Sequence, residues 1–308
     1  VVAPAVARAA MESGVALNPI QDWKKYEEEL LDRMGSDNKM VRMIINRAKM
    51  DPKRIVFAEA DHLDVLKTAQ IVHEEGIGFP ILLGKKDIIL ELKKELGFDA
   101  DVPIIDPKTP EEVERKNRFA KVYWETRQRR GISLFDAENL MRERNYFAAM
   151  MVNQGEADAL LTGYSRSYPS VVKPMLQLID KEPGVSLIAT TNMMMTSRGP
   201  MFMSDTAINT NPTSEELAKI AIMTAKAAKL FGVEPVIAMI SFSNFGSSSN
   251  DSANKVREAV DYLHKNHPEM IIDGEVQADF ALNPEMLSKK FPFLFFVGKK
   301  VNNHEMEI

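Results

Sequence analysis

Short apolar runs alternate with helical stretches of about ten residues or more along most of this chain. Residues 54–58 (RIVFA), 79–83 (FPILL) and 103–105 (PII) read as buried strands. Residues 40–50, 64–75, 88–96 and 110–129 carry helical periodicity around them, with Gly76 and Gly97 as stops. Strands joined by helices pair in parallel, and a parallel sheet needs both faces covered. The second half continues in this style. Residues 134–154 give one or two helices. Strands are expected at 159–162, 185–190, 193–195, 200–204, 236–242 and 271–272. Helices are expected at 170–179, 214–231 and 253–265, and Thr213, Ser214, Glu215 and Glu216 form a helix-start signal. The expected class is therefore α/β.

The chain has 308 residues, 45% of them apolar, enough to bury a large core, and two lobes are expected. A net charge of -5 gives no general attraction for nucleic acid. With no cysteine, disulfides and thiolate metal sites are excluded, which fits a reducing, cytoplasmic location. No apolar run approaches the roughly 20 residues that span a bilayer, so no membrane partner is expected. The opening residues 1–16 carry Arg8 and Glu12 and do not read as a signal peptide. They also lack an initiator Met, so a piece of a longer protein is expected. Helical spacing at 6–11, a stop at Gly14 and an amphipathic stretch at 21–34 make residues 1–37 a connector. The lobes are then expected at 38–182 and 183–308.

Four stretches could carry chemistry. The serine-rich run SFSNFGSSSNDS, between a strand and a helix, offers Ser243, Gly246, Ser247, Ser248 and Ser249 as an anion cradle. The alternative is a solvated loop. In ALLTGYSRSY, Gly163 allows close backbone approach, Ser165 follows it, and Arg166 supplies a planar fork for phosphate or carboxylate, with Lys173 a turn or two further on. In MSDTAINTNP, Asp205 is either a catalytic carboxylate or a loop anchor, and Asn209 and Asn211 tie down irregular backbone. Asp273, Gly274 and Glu275 read best as a turn with solvated acids rather than a metal site. A basic patch of Lys121, Arg127, Arg129 and Arg130 complements a helix C-terminus or captures a phosphorylated ligand. No aromatic platform interleaves with it for nucleic acid.

Taken in order, DALLTGYSRSYPSVVKPMLQLI, SDTAINTNPTSEELAKIAI, AMISFSNFGSSSNDSANKVREA and IDGEVQADFALNP resemble the phosphate acetyl/butyryltransferase family over about residues 38–298. The resemblance implies a two-lobe α/β/α fold, similar to isocitrate and isopropylmalate dehydrogenases, with a site in the cleft between lobes. It implies binding of coenzyme A and phosphate, acyl transfer between them, and no metal. The opening VVAPAVARAAMESGVALNPIQDW looks like the exit from the nucleotide-binding domain of bacterial hybrid malic enzymes. In those proteins an upstream part decarboxylates malate with NADP and Mg or Mn. Their second part is expected to sense acetyl-CoA and to support homo-oligomerisation.

This chain departs from the transferase pattern at Tyr164, Ser165 and Arg166, and at Lys173, where an arginine is usual. The family's catalytic Ser-Arg pair and a nearby aspartate lie beyond where this chain ends, at Ile308. The expectation is therefore an acetyl-CoA-responsive domain of a malic enzyme without acyl transfer of its own. Its ligand contacts are expected at Gly163, Ser165, Arg166, Lys173, Asp205, Asn211, Arg130 and the 243–249 loop. The rivals are a working phosphate acetyltransferase and a purely structural dimerisation module.

Overall fold

In the computed structural model of the chain, residues 2–16, 19–23, 26, 30, 36–196 and 199–292 are described. The amphipathic stretch expected at 21–34 lies largely outside them. The chain divides into two compact units, residues 44–183 and residues 1–43 with 184–308.

The unit of residues 44–183 is built on a parallel sheet in the order β3-β2-β1-β4. Its strands are β1 (Lys53–Phe57), β2 (Gly78–Leu83), β3 (Ile104–Ile105) and β4 (Ala159–Leu161). Side chains alternate across it. Val56, Ala58, Ile81, Leu83 and Ile105 join Phe119, Phe147 and Met150 on one face. Phe57 and Leu82 join Leu66, Ile89 and Phe98 on the other. Helices thus cover both faces, as continuous apolar strands require. Burial of each large side chain is worth about 1.5–3 kcal/mol. The long helix expected at 110–129 is an α-helix over Val113–Arg127, with a short 3-10 turn at either end. The 134–154 stretch is two helices, Leu134–Leu140 and Arg144–Asn153.

In the other unit, β5 (Thr191–Thr196) and β6 (Gly199–Ser204) pair antiparallel, and β7 (Val236–Ile240) and β8 (Ile271–Val276) pair in parallel. Met239 and Ile272 pack against Ala218, Ala221, Val256 and Leu263 from the helices Ser214–Leu230 and Asp251–Asn266. Val276 packs on the opposite side with Phe280 and Leu287. The helix-start signal at Thr213 is a capping box: its hydroxyl accepts the Glu216 N–H at 3.2 Å, and Glu216 accepts the Thr213 N–H at 2.9 Å.

One expected strand is absent. Residues 185–190 form no ladder. The Ile188 carbonyl accepts the Asn209 side-chain amide at 3.1 Å, and the Thr190 carbonyl accepts the Asp205 N–H at 2.9 Å. A loop, not a strand, takes up these carbonyls. Among the described residues no helix is long and apolar enough to cross a membrane.

Candidate functional site

Each unit gathers its polar chemistry at strand ends, and a buried glutamate organises each gathering. In the unit of residues 44–183, the loops after β1, β2, β3 and β4 lie at the carboxyl edge of the parallel sheet. That edge is where open α/β sheets present their ligand crevices.

Glu59 follows β1 and is only 1% exposed. Its Oε1 accepts the N–H of Gly163 at 2.8 Å and of Tyr164 at 2.9 Å. Its Oε2 accepts the N–H of Ser165 at 2.9 Å and the Ser165 hydroxyl. Burial pushes the Glu59 pKa up, but the bonds from Ser165, Gly163 and Tyr164 outweigh it and hold the carboxyl below the ordinary glutamate range. Gly163 sits at φ 103°, a conformation that side chains disfavour. The N–H groups of this turn and the Ser165 hydroxyl are therefore engaged by the chain's own carboxylate.

Arg166 continues from the turn to the rim of a cavity of about 140 Å³. Gly84 and Lys85 after β2, Asp106, Pro107 and Lys108 after β3, and Arg142, Glu143 and Arg144 line the rest. Arg144 forms a two-pronged pair with Asp61, at 2.6 and 3.0 Å. Burial alone would raise the Asp61 pKa, but the hydrogen bond and charge of Arg144 bring it down. The Glu143 carboxylate accepts the N–H of Asn145 at 2.8 Å and of Tyr146 at 3.3 Å, capping the helix Arg144–Asn153. Asp106 accepts the Lys108 N–H at 2.9 Å.

In the other unit, Glu275 on β8 is fully buried. It accepts the Gly246 N–H at 2.8 Å, the Ser243 hydroxyl at 3.1 Å, and Arg257 through Nη2 at 3.0 Å and Nε at 3.1 Å. Burial pushes its pKa up, and Arg257, Gly246 and Ser243 together bring it below the ordinary value. The reading of residues 273–275 as solvated acids is thus corrected: Asp273 is 9% exposed and Glu275 not at all, because both lie within β8. Ser247 Oγ accepts the Asn244 N–H at 3.0 Å and meets Ser243 Oγ at 3.0 Å. Ser248 accepts the Asn250 N–H at 3.2 Å through its hydroxyl, and its carbonyl accepts Arg257. The Ser249 carbonyl accepts the Asn254 amide at 3.0 Å. Phe245 takes a left-handed φ of 41° within this loop.

Asp205 also adopts a left-handed φ, 58°, and its carboxylate accepts the Asn209 amide at 2.8 Å. The Asn211 side-chain oxygen accepts Lys255 Nζ at 2.7 Å. Lys173 is exposed on the helix Tyr168–Leu178, and Arg130 is exposed at the end of a 3-10 turn. Neither lines the cavity around Arg166. Arg127, from the same basic patch, donates to the Gln177 carbonyl at 2.5 Å. Among the described residues, no three His, Asp or Glu side chains gather in a group that would hold a metal ion.

The sequence reading passed over Glu59, Asp61, Lys85, Lys108, Arg142, Arg144 and Arg257. The available signal was position: Glu59 and Asp61 directly follow an apolar strand, where parallel sheets place ligand-binding groups.

Residues 39–300 match the family described as phosphate acetyl/butaryl transferase. The NADP-dependent malic enzyme of Haemophilus influenzae is 37% identical over 287 residues, covering 92% of this chain and 38% of that protein. The chain thus spans under two fifths of the length of that relative. The phosphate acetyltransferase of Clostridium acetobutylicum is 35% identical over 261 residues, covering 82% of this chain and 78% of that protein. Among solved structures, a phosphotransacetylase from Streptococcus pyogenes superimposes with a TM-score of 0.73 at 34% identity, covering 85% of this chain and 79% of that one. By sequence and by fold, the chain belongs to the phosphate acetyl/butaryl transferase family.

Proposed function

We propose that the chain is an acyl-CoA-binding regulatory and assembly domain of an NADP-dependent malic enzyme. One observation carries this reading. Similarity to the malic enzyme covers 92% of the chain, against 82% for the phosphate acetyltransferase, and the family match itself begins only at residue 39. Oxidative decarboxylation of malate, with its NADP and its Mg or Mn, is assigned to a malic part joined to this chain.

Three features support acyl-CoA as the ligand. The family is one of phosphate and acyl groups. Arg166, Lys173 and Arg130 are exposed cations with no acidic partner among the described residues, free to meet the phosphates of coenzyme A. The 163–165 turn beside Arg166 is fixed by Glu59, so binding costs little ordering there. Control follows if acetyl-CoA binds one packing of the protein more tightly than another. A second reading, acyl transfer between phosphate and coenzyme A, is favoured by the C. acetobutylicum relative, of which the chain covers 78%.

Two assays on the protein carrying both parts separate these readings. Acetyl-CoA changing malate turnover, with no acetyl-CoA formed from acetyl phosphate and coenzyme A, supports the regulatory reading. Formation of acetyl-CoA supports the transferase. Unchanged malate kinetics and no thermal shift with acetyl-CoA would leave a structural dimerisation module.

A further inference from the structure

We infer that the outward face of the β5–β6 ribbon is a binding site for a soft monovalent cation, Cu(I) or Ag(I), held by the thioethers of Met194, Met201 and Met203. The inference stands on this ribbon and does not require the acyl-CoA reading.

The strand register builds the site. Met194 stands directly opposite Met201, and Asn192 directly opposite Met203. Alternate residues of a strand share a face, so all three methionines lie on one side of the ribbon. Directly opposed Cβ atoms are about 4.5–5.5 Å apart and diagonal neighbours about 7–8 Å, distances that long, unbranched methionine side chains can close. The other face belongs to the core. The ring of Phe202, opposite Met193, lies 5.8 Å from the ring of Phe231. Ser204 Oγ accepts the Thr224 hydroxyl at 2.6 Å from the helix Ser214–Leu230. The methionine face is thereby turned outward: Met194 is 40% and Met203 46% exposed, with Met201 half-buried beside them.

Packing alone does not account for this face. The solvent side of an antiparallel pair is ordinarily polar, and exposed methionines gain little from burial. Their chemistry gives them a use. A thioether sulfur is neutral, polarizable and soft, and no proton competes for it near neutral pH. Such donors suit Cu(I) and its analogue Ag(I). Mg(II) and Mn(II) need oxygen ligands, and Zn(II) needs thiolate, imidazole or carboxylate, none of which this set of three supplies. A single positive charge needs no carboxylate to balance it at an exposed site. The chain has no cysteine, so no thiolate elsewhere in it competes for the ion.

Calorimetric titration of the full 308-residue chain with silver nitrate in chloride-free buffer tests this, with Ag(I) as the redox-stable probe. The expected result is saturable one-to-one binding, a raised melting temperature, and no displacement by Zn(II) or Mg(II). Met194→Leu/Met201→Leu/Met203→Leu should weaken the site about tenfold or more. Leucine is close to methionine in volume, so the ion-free variant should melt near the parent. Met50→Leu, at a side chain 85% exposed on the helix Ser36–Met50, should change nothing. If the triple variant does not fold, the parent labelled with ¹³C at its methionine methyl groups decides. The signals of Met194, Met201 and Met203, each assigned by its own leucine variant, should shift together as one equivalent of Ag(I) is added. The inference is overturned if no such site is titrated, if the folded triple variant binds as tightly as the parent, or if other methionine signals shift instead.

Discussion

Glu59 and Ser165 lie 106 positions apart, and the carboxylate of the first receives both the N–H and the hydroxyl of the second. Gly163 and Tyr164 add their N–H groups to the same carboxylate. Glu275 does the same for the loop of Ser243 and Gly246 in the other unit, with Arg257 as its counter-charge. Two glycine turns expected to contact a ligand are each closed around a carboxylate belonging to the chain itself. Their rigidity is set by these bonds.

Glu59→Ala should therefore cost about 1–3 kcal/mol, because several charge-assisted bonds disappear and the turn must be solvated instead. Glu59→Gln should cost less, since one oxygen still accepts N–H groups while the amide NH₂ faces donors. Urea unfolding of the parent and both variants checks the order.

The acid side of the stability profile should be steep. The folded pKa values of Glu59, Glu275 and Asp61 are all lowered. A lowered carboxyl contributes its full stability above its unfolded value, about 4.3 for glutamate, and loses it as pH falls through the folded value. Melting temperature should be nearly flat from pH 7 to pH 5 and fall below about pH 4. Glu275→Gln should melt lower at pH 7 yet show a shallower fall in acid.

Asp61→Asn separates the wall of the cavity from its charge. The paired side chains are 9% and 17% exposed, so loss of the ionic fork should lower stability by about 1.5–3 kcal/mol. It also releases Arg144 toward the cavity.

Gly274 should tolerate no side chain. A Cβ there would lie 2.6 Å from the Met239 carbonyl oxygen and 2.9 Å from the Met239 Cβ, at a φ of 146°. Gly274→Ala should cost about 3 kcal/mol or more, read as a shifted urea midpoint, and should disturb the neighbouring Glu275 and its loop.

The parallel sheet was legible because RIVFA and FPILL are continuous apolar runs bounded by polar and glycine punctuation. Residues 185–190 look equally strand-like, but a strand also needs a partner, and here Asp205 and Asn209 take up the carbonyls. Loop positions such as Arg166 were legible from local chemistry. Their long-range partners were not. Nothing near Ser165 points to Glu59, and nothing near Glu275 distinguishes a buried acid paired with Arg257 from a solvated one. The cationic cavity escaped notice for the same reason: its lysines and arginines are dispersed over some 80 positions and meet only once four strands are aligned.

The most direct measurement is calorimetric titration of acetyl-CoA into a protein that carries this chain together with the proposed malic part, followed by malate kinetics at the same concentrations. The account predicts saturable binding, a raised melting temperature and altered malate turnover. An absence of heat and of thermal shift would contradict it.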